Sequence, residues 1–376
     1  MIRLLGILGA AVLIAQAMPY PEGERAPTLE ETREDMDIIS SDRLRGQRDS
    51  VGYAATAEQM KATWGLSAEG PAPDRLGPSP APGVIGALSP HDDYLYAGRV
   101  YRTVLPLVTA KTVIVIGVFH QYRKYRIRDR IVFDPYPTWR SPDGLVRVSG
   151  IRDELVAAMP EGDAFKDYAA HDAEHSIEAE VYWLRHANPK VEIVPILAPA
   201  GRFERIEEIA TRLGDALAAS MKKRDWKLGR DVAIVISADA VHYGPDFHHV
   251  PFGDGGVAAY TKAIARDRAI LTGPIAGPMS VEKIRTLYGT FVDPAAPDTY
   301  RVSWCGRFSI PFGMLLLRQT AKATGLGAPV GKPLAYATSV GAPELHLREV
   351  GLGETAPALM PAASLRLPLP VSRRRR

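Results

Sequence analysis

Three apolar runs, each followed closely by a histidine, constrain the fold of this chain more than any other feature. The runs cover residues 84–88, 111–117 and 231–237, and the histidines that follow them are His91, His120 and His242. Short apolar runs of this kind predict buried β-strands, and Pro90 ends the first of them before His91. Open α/β sheets place their ligands beyond the carboxyl ends of the strands. The pattern therefore predicts one site, built from several strand ends at one edge of a sheet.

From residue 83 onward, strand-like and helical patterns alternate. Residues 206–221 carry apolar side chains along one side of a predicted amphipathic helix. Residues 131–137 form a further strand candidate, which we expect at a sheet edge because it contains prolines. With 46% hydrophobic residues in a length of 376, the chain can bury a sizeable core. These patterns predict an α/β fold, a three-layer domain with a mixed sheet.

The N-terminal residues have the pattern of an export signal. Arg3 precedes an apolar stretch over residues 4–15, and Ala15-Gln16-Ala17 supplies the small residues of a cleavage site. The stretch is too short to span a bilayer comfortably. We predict cleavage after Ala17, a secreted or periplasmic protein and no stable membrane anchor. The predicted organisation is a signal peptide (1–17), an N-terminal segment with a Pro/Gly-rich linker (18–82), the α/β domain (83–358) and a Pro/Arg-rich tail (359–376).

Charge and cysteine content exclude some classes of protein. The formal net charge is only +3, so nucleic acid is not an expected partner. Cys305 is the only cysteine, which excludes an intramolecular disulfide. It precedes a predicted buried helix over residues 308–320, and a thiol close to a helix N-terminus is expected to have a lowered pKa. Cys305 is therefore a candidate metal ligand or nucleophile, with an inert buried thiol as the alternative.

The densest polar cluster in the chain, residues 171–178, precedes another helical pattern. Ser176 is the predicted N-cap of that helix, and Glu174 and Glu178 would share a helix face at their spacing of four residues. One interpretation is a substrate pocket wall in which Glu174 and His175 serve acid–base chemistry or orient a metal ligand. The alternative is a capped helix start whose charges are exposed.

Seven segments, in order along the chain, carry a resemblance to a known family. They cover residues 90–98 (P-H-x-x-Y-x-Y-x-G), 115–120, 172–178 (D-A-E-H-S-I-E), 194–197 (V-P-I-L), 237–244 (S-A-D-A-V-H-Y-G), 305–307 (C-G-R) and 335–339. Together they resemble the MEMO-like family, whose bacterial members are called AmmeMemoRadiSam system protein B. The resemblance extends over about residues 84–355.

This resemblance implies a fold related to the class III (LigB-type) extradiol dioxygenases. It also implies a metal pocket formed by His91, His120 and Cys305, with Asp239 and His242 lining the same pocket. In those dioxygenases a carboxylate is the third metal ligand. A thiol at this position makes iron or copper the expected metal, with zinc as a further candidate, and makes ordinary ring cleavage doubtful.

The sequence departs from the family at Asp92-Asp93, where Ala-Gly is usual. The two carboxylates could add oxygen ligands to the metal, or they could pair with Arg99 or Arg102. The export signal and the long N-terminal segment are a second departure, since many members of the family are cytosolic.

The sequence leaves three functions open. The first is a MEMO-like, metal-dependent redox enzyme acting on a small molecule, with His242 as a general acid/base that Asp239 orients and that titrates near neutral pH. The second is a protein that binds copper or iron, or an anionic peptide at the helix N-terminus near Ser176, without turnover. The third is a hydrolase with Cys305 as nucleophile and His242 or His91 as base. The sequence determines neither the substrate nor the oligomeric state.

Overall fold

The structure, a computed structural model, describes residues 22–341 and 343–354. The predicted signal peptide (1–17) and the predicted tail (359–376) lie outside the described residues. The helices of the described residues are α1 (Leu29–Met36), α2 (Ala57–Leu66), α3 (Tyr94–Val104), α4 (Ile151–Ala158), α5 (Tyr168–Asp172), α6 (Glu178–Ala187), α7 (Phe203–Lys223), α8 (Gly256–Thr272), α9 (Val281–Phe291) and α10 (Ser309–Ala323). Short 3₁₀ turns cover Leu105–Leu107, Pro245–Phe247, Cys305–Arg307 and Arg348–Val350.

The β-strands of the described residues are short, and several contain only two residues. They are β1 (Leu44–Arg45), β2 (Asp74–Arg75), β3 (Gly86–Ser89), β4 (Thr112–Gly117), β5 (Ile131–Phe133), β6 (Thr138–Ser141), β7 (Gly144–Val148), β8 (Ala164–Lys166), β9 (Glu192–Leu197), β10 (Val232–Ser237), β11 (Gly277–Pro278), β12 (Val292–Asp293), β13 (Ala296–Tyr300), β14 (Val330–Gly331) and β15 (Ala335–Tyr336).

A central sheet of nine strands organises the domain. Its main path runs β1-β6-β7-β9-β4-β10-β3, and β5 and β8 extend it beside β9. Every residue of β4 and β10 is buried. Both strands are continuous runs of Val, Ile and small residues, which is the composition of parallel strands covered on both faces. The three apolar runs that end near histidines are thus three neighbouring strands, in the order β4, β10, β3.

Helices cover both faces of this sheet. Successive side chains of a strand point to opposite faces, and the end of β10 shows this directly. Ile236 packs over Gly313 of α10, whereas Ser237 bonds to the Ser176 carbonyl just before α6. α7 packs against α10 on the first side, and α3 and α6 share an aromatic cluster on the other.

The sheet contains both strand directions. β6 and β7 form an antiparallel hairpin and β5 runs antiparallel to β9, while the remaining pairs in this sheet are parallel. The predicted α/β fold with a mixed sheet is therefore confirmed. The predicted edge position of residues 131–137 is wrong, because β5 pairs with β8 on one side and β9 on the other. The strand ends at Phe133, before Pro135 and Pro137, so the prolines remove no ladder hydrogen bond.

Part of the segment before residue 83 packs onto the central sheet. β1 adds to the sheet beside β6, and α1 begins with a capping box in which Thr28 accepts a 3.2 Å hydrogen bond from the Glu31 N–H. Arg45 of β1 is fully buried, with its guanidinium 4.1 Å from the centre of the Trp139 ring. In the described ranges, no helix combines the length and the hydropathy needed to cross a membrane.

Candidate metal centre

The carboxyl ends of β3, β4 and β10 lie side by side. In the parallel register Ser237 is opposite Ser89, and Ile236 is opposite Ile116. The segments that follow these strands therefore leave the sheet at the same level. His91 and His120 lie in two of these segments, and their ring centroids are 5.2 Å apart at an interplanar angle of 87°.

Cys305 reaches the same place from a distant part of the chain. Its loop lies beside the segment that follows β10, where the His242 N–H donates to the Ser303 carbonyl at 3.2 Å. The Sγ atom of Cys305 is 3.5 Å from Nε2 of His91. Ligand atoms of His91, His120 and Cys305 all lie within 4.8 Å of one another. The structure thus brings together the three residues that the family resemblance implied as metal ligands.

Hydrogen bonds determine which ring nitrogen of His91 is protonated. The hydroxyl of Ser237 donates its only hydrogen to the Ser176 carbonyl at 2.5 Å. The same hydroxyl must therefore accept a hydrogen bond from Nδ1 of His91, which is 2.7 Å away. Nε2 of His91 is then the unprotonated nitrogen, and it is the ring atom nearer to the thiol of Cys305.

A carboxylate orients His120 in a similar way. Nδ1 of His120 donates to Oε1 of Glu174 at 2.9 Å, so Nε2 is the ring nitrogen that faces away from this carboxylate. Glu174 also accepts backbone N–H bonds from His120, His175 and Ser176. Burial alone would raise the pKa of Glu174, but the nearby imidazoles and these hydrogen bonds outweigh burial and hold its pKa well below the ordinary value. A carboxylate on the far nitrogen of a histidine is typical of metal sites.

His175 stacks on His120 at the less buried side of the cluster. The two rings are 5.0 Å apart and within 7° of parallel, and their side chains are 19% and 18% exposed. Glu174 and these two histidines form a second group with ligand atoms within 4.8 Å of one another. Because both oxygens of Glu174 already accept hydrogen bonds, we assign this group to the support of the first.

Asp239 and His242 lie beside the cluster, but they do not form the predicted pair. Asp239 accepts a 2.9 Å hydrogen bond from the His91 N–H and places Oδ2 3.2 Å from Nε2 of the same residue. His242 instead donates from Nδ1 to the Ser303 carbonyl at 3.2 Å. Burial lowers the pKa of His242 below its ordinary value. The predicted orientation by Asp239 is therefore wrong, because the loop before Cys305 occupies that side of the His242 ring.

Two expectations about local chemistry are also wrong. Cys305 is 8% exposed, and burial raises the pKa of its thiol well above the ordinary value, although a 3.0 Å hydrogen bond from the Asp239 N–H acts in the opposite direction. Ser176 does not cap α6, which begins at Glu178. The Ser176 hydroxyl donates instead to the Val118 carbonyl at 3.0 Å, which ties the start of α6 to the end of β4.

Three residues that build the site lie outside the residues predicted from the sequence. Ser237 sets the tautomer of His91, Tyr53 donates its hydroxyl hydrogen to the His91 carbonyl, and buried Arg45 donates to the Glu174 carbonyl at 2.6 Å. Ser237 could have been found, since it is the polar residue at the end of an apolar run. Nothing in the local sequence marks Arg45 or Tyr53, because both come from a segment remote in sequence.

Known proteins show similarity to most of this chain. The model of the family described as Memo-like protein matches residues 53–353, which is most of the chain. This chain belongs to the Memo-like family. The family match starts at Tyr53, so it includes part of the predicted N-terminal segment (18–82) as well as the α/β domain.

Relatives of this Memo-like protein include several archaeal proteins. A MEMO1 family protein of Archaeoglobus fulgidus is 33% identical over 164 residues, which cover 43% of this chain and 57% of the relative. The MEMO1 family protein TK1477 of Thermococcus kodakarensis is 29% identical over 177 residues, 45% of this chain and 56% of the relative. A MEMO1 family protein of Pyrobaculum arsenaticum is 28% identical over 204 residues, 52% of this chain and 68% of the relative. The chain thus spans just over half the length of the first two relatives, and the family resemblance is confirmed.

Proposed function

We propose that this Memo-like protein holds an iron or copper ion between His91, His120 and Cys305 and acts as a metal-dependent redox enzyme on a small molecule. One observation carries the proposal. The protein's own hydrogen bonds occupy Nδ1 of both histidines and leave Nε2 as the ring nitrogen available to a metal, and ligand atoms of these residues and the thiol lie within 4.8 Å of one another. Neutral imidazole with a fixed tautomer is the form of histidine that binds metals.

The surroundings of His91 also fit a cation. Its unprotonated Nε2 lies 3.2 Å from Oδ2 of Asp239. Both atoms carry lone pairs, and two such atoms at this distance repel unless a proton or a cation lies close to both. Burial raises the pKa of Asp239, so a proton on this carboxyl satisfies the pair in the metal-free protein, and a bound cation would take the place of that proton.

The donor set favours particular metals. Two imidazoles and a thiolate are softer than the two-histidine, one-carboxylate set of non-haem iron oxygenases, so copper joins iron as an expected metal. Zinc accepts the same donors and is the third candidate. A bound iron or copper ion would supply one-electron chemistry with dioxygen or with the substrate.

The chain's own residues supply access and proton transfer. His91 and Cys305 are 4% and 8% exposed, whereas His120 and His175 form the more open side, from which we expect a small molecule to enter. Nδ1 of His242 is held by the Ser303 carbonyl, so its Nε2 is unprotonated and can act as a general base. We assign Glu174 to positioning rather than proton transfer, since its hydrogen bonds orient His120.

Metal analysis of the full-length protein tests the metal site. Protein purified without oxygen is incubated with Fe(II) or Cu(I), desalted and analysed by mass spectrometry of the metal. We expect about one ion per chain, in line with one set of converging ligands. Cys305→Ser should lower the affinity without changing the circular dichroism, since a hydroxyl fills similar space but is a poor soft ligand.

A matched control and an activity readout complete this experiment. His346 is exposed and outside both groups of candidate ligands, so His346→Gln should bind metal like the unmodified protein. Oxygen consumption is then followed with catechols as substrates. Full-length protein that binds neither iron nor copper would refute the metal site. A loaded protein that consumes no oxygen would refute redox turnover with these substrates.

Metal holding without turnover is the second candidate function, and the deep burial of His91 and Cys305 favours it. A stoichiometric metal without oxygen consumption would support it. A hydrolase gains less support, because it needs the Cys305 thiolate without a metal, and burial raises the pKa of the metal-free thiol. A bound cation would itself stabilise the thiolate, so the metal site does not meet this obstacle. Export is a separate proposal, which N-terminal sequencing of protein from the periplasm or medium tests, with cleavage after Ala17 as the expected result.

A further inference from the structure

Asp267 of α8 is a completely buried residue that contacts two segments beside the candidate metal centre. Its Oδ1 accepts a 2.8 Å hydrogen bond from the indole N–H of Trp304, the residue before Cys305. Its Oδ2 accepts a 3.3 Å hydrogen bond from the backbone N–H of Val241, the residue before His242. One carboxylate thus joins the loop of the candidate thiol ligand to the segment of the proposed general base.

A third donor completes the environment of this carboxylate. The hydroxyl of Tyr336 donates to Oδ2 at 2.9 Å. Burial raises the pKa of Asp267 to about 6, although the three hydrogen bonds act in the opposite direction. At pH 8 the side chain is therefore ionised, and both of its oxygens only accept hydrogen bonds. Hydrogen bonds to an ionised group are roughly twice as strong as those between neutral groups, so α8 holds both segments firmly.

The two segments also contact each other next to the thiol. Val241 and Trp304 form an isolated antiparallel bridge, and the Asp239 N–H donates to Sγ of Cys305 at 3.0 Å. The position of Sγ therefore depends on how closely the two segments lie. Because Asp267 accepts a hydrogen bond from one residue of each segment, it sets their separation.

Apolar packing holds the Trp304 ring but does not by itself fix its direction. The ring stacks on Phe291 with centroids 5.3 Å apart and an interplanar angle of 30°, and Trp304 is only 2% exposed. Burial of apolar surface is non-directional, whereas a hydrogen bond needs its donor aligned with the acceptor. The bond to Asp267 is therefore the contact that orients the indole and the chain leading to Cys305.

We propose that Asp267 is a positioning residue of the candidate metal centre. Through its two N–H donors, it holds the thiol of Cys305 where the histidine ligands can share a metal ion with it. Asp267 itself is outside both groups of candidate ligands. The effect on a bound metal rests on the proposed function, whereas the effect on the thiol does not. Loss of a residue that orients a metal ligand lowers metal affinity roughly 10–100-fold.

The substitution Asp267→Asn tests this role with little change in side-chain volume. An amide has one oxygen and one NH2 group, so it accepts hydrogen bonds on one side only. Whichever way the amide is turned, its NH2 group faces either the indole N–H of Trp304 or the backbone N–H of Val241. One of the two segments therefore loses its acceptor and gains freedom to move.

The reactivity of the thiol reports on its position without any metal. Cys305 is the only cysteine of the chain, so the rate at which iodoacetamide alkylates full-length, chelator-treated protein at pH 8 measures this thiol alone. Asp267→Asn and Trp304→Phe should each react about tenfold faster than the unmodified protein, since loss of a hydrogen bond makes local opening more frequent. Tyr336→Phe is the matched control, because it removes one donor to the same carboxylate but leaves both N–H bonds. Its rate should be unchanged.

The double variant Asp267→Asn/Trp304→Phe separates positioning from a general loss of stability. Without the indole N–H, the amide can turn its oxygen toward Val241 and Tyr336, and no N–H then faces its NH2 group. The double variant should therefore react no faster than Trp304→Phe alone. Two independent losses of stability would instead multiply their effects on the rate. Thermal unfolding of each variant shows whether the fold is retained.

Metal binding by the same proteins completes the test. The affinity of Asp267→Asn for Fe(II) or Cu(I), measured anaerobically by calorimetry, should be roughly tenfold lower than that of the unmodified protein, and Tyr336→Phe should bind these ions normally. An unmodified protein that binds neither ion, together with the expected pattern of alkylation, would refute the proposed function and still support the positioning of the thiol.

Four results would overturn the proposal. They are alkylation of Asp267→Asn at the rate of the unmodified protein, alkylation of Tyr336→Phe as fast as that of Trp304→Phe, multiplied effects in the double variant, and normal metal affinity of Asp267→Asn. If Asp267→Asn does not fold, the comparison of Trp304→Phe with Tyr336→Phe decides by itself.

Discussion

Replacing Glu178 by Gln should strongly destabilise this protein, because the buried charge of Arg45 would then lose the carboxylate that it contacts directly. Both side chains are completely buried, and Nη1 of Arg45 donates to Oε1 of Glu178. Burial alone would lower the pKa of Arg45, but the negative charge of Glu178 outweighs burial and raises it. The guanidinium is intrinsically too basic to lose its proton in the variant, so it stays charged.

The expected magnitude follows from the contacts that are lost. Removing one partner of a buried ion pair costs about 3–5 kcal/mol. Glu178 also accepts backbone hydrogen bonds from Arg48 at 2.7 Å and Asp49 at 3.0 Å. The amide of glutamine has only one oxygen, so one of these N–H groups loses its acceptor, which costs about 1–3 kcal/mol more. We therefore expect a loss of about 4 kcal/mol or more, a large part of the roughly 5–15 kcal/mol by which proteins are stable.

Urea unfolding, followed by circular dichroism and tryptophan fluorescence, measures this loss. Glu154→Gln is the matched control, since Glu154 pairs with Arg224 at the surface, where the two side chains are 39% and 30% exposed. The control should lose about 0–1 kcal/mol. The double variant Arg45→Met/Glu178→Leu should lose less stability than Glu178→Gln, because it removes both charges of the buried pair. A loss for Glu178→Gln no greater than that of the control would refute the reasoning.

Two further predictions concern pH and packing. Burial raises the pKa of Asp134 to about 7, against the hydrogen bond from Trp139 that favours its ionised form. Folding therefore takes up a proton, and this contribution to stability is full below about pH 4 and is lost as the pH rises to 7. The free energy of unfolding of Asp134→Asn, minus that of the unmodified protein, should therefore rise by about 1.4 kcal/mol per pH unit between about pH 4.5 and 6.5. A difference that is independent of pH would contradict this. Gly306→Ala should lower the free energy of unfolding in urea by about 1–3 kcal/mol, because the new Cβ would lie 2.2 Å from Cβ of Ala238. A Cβ at Gly65 in α2 would meet nothing within 4 Å, so Gly65→Ala should raise the free energy of unfolding by about 0.5–1 kcal/mol. Equal effects of the two substitutions on stability would rule out the packing argument.

The family resemblance located the candidate ligands, but the structure was needed to show how they are held. Motifs in the sequence identify His91, His120 and Cys305, and the family match over residues 53–353 supports the resemblance on which they rest. The hydroxyl of Ser237 and the carboxylate of Glu174 set the tautomers of the two histidines. Such partners are defined by distances between side chains and cannot be inferred from the spacing of residues along the chain.

The sequence by itself determined the strands and the edge at which the site lies. Continuous apolar runs can only be buried strands or buried helices, and the polar residues after each run mark where the chain leaves the sheet, so β4 and β10 and the positions of the histidines beyond them follow from local pattern. Only the tertiary structure decided that Asp239 serves His91 rather than His242, that the thiol of Cys305 is buried, and that Arg45 supports the loop of Glu174. The physical reason is that these features depend on segments far apart in sequence. Which polar group a buried carboxylate meets, and how much water remains beside a thiol, is set when those segments pack together.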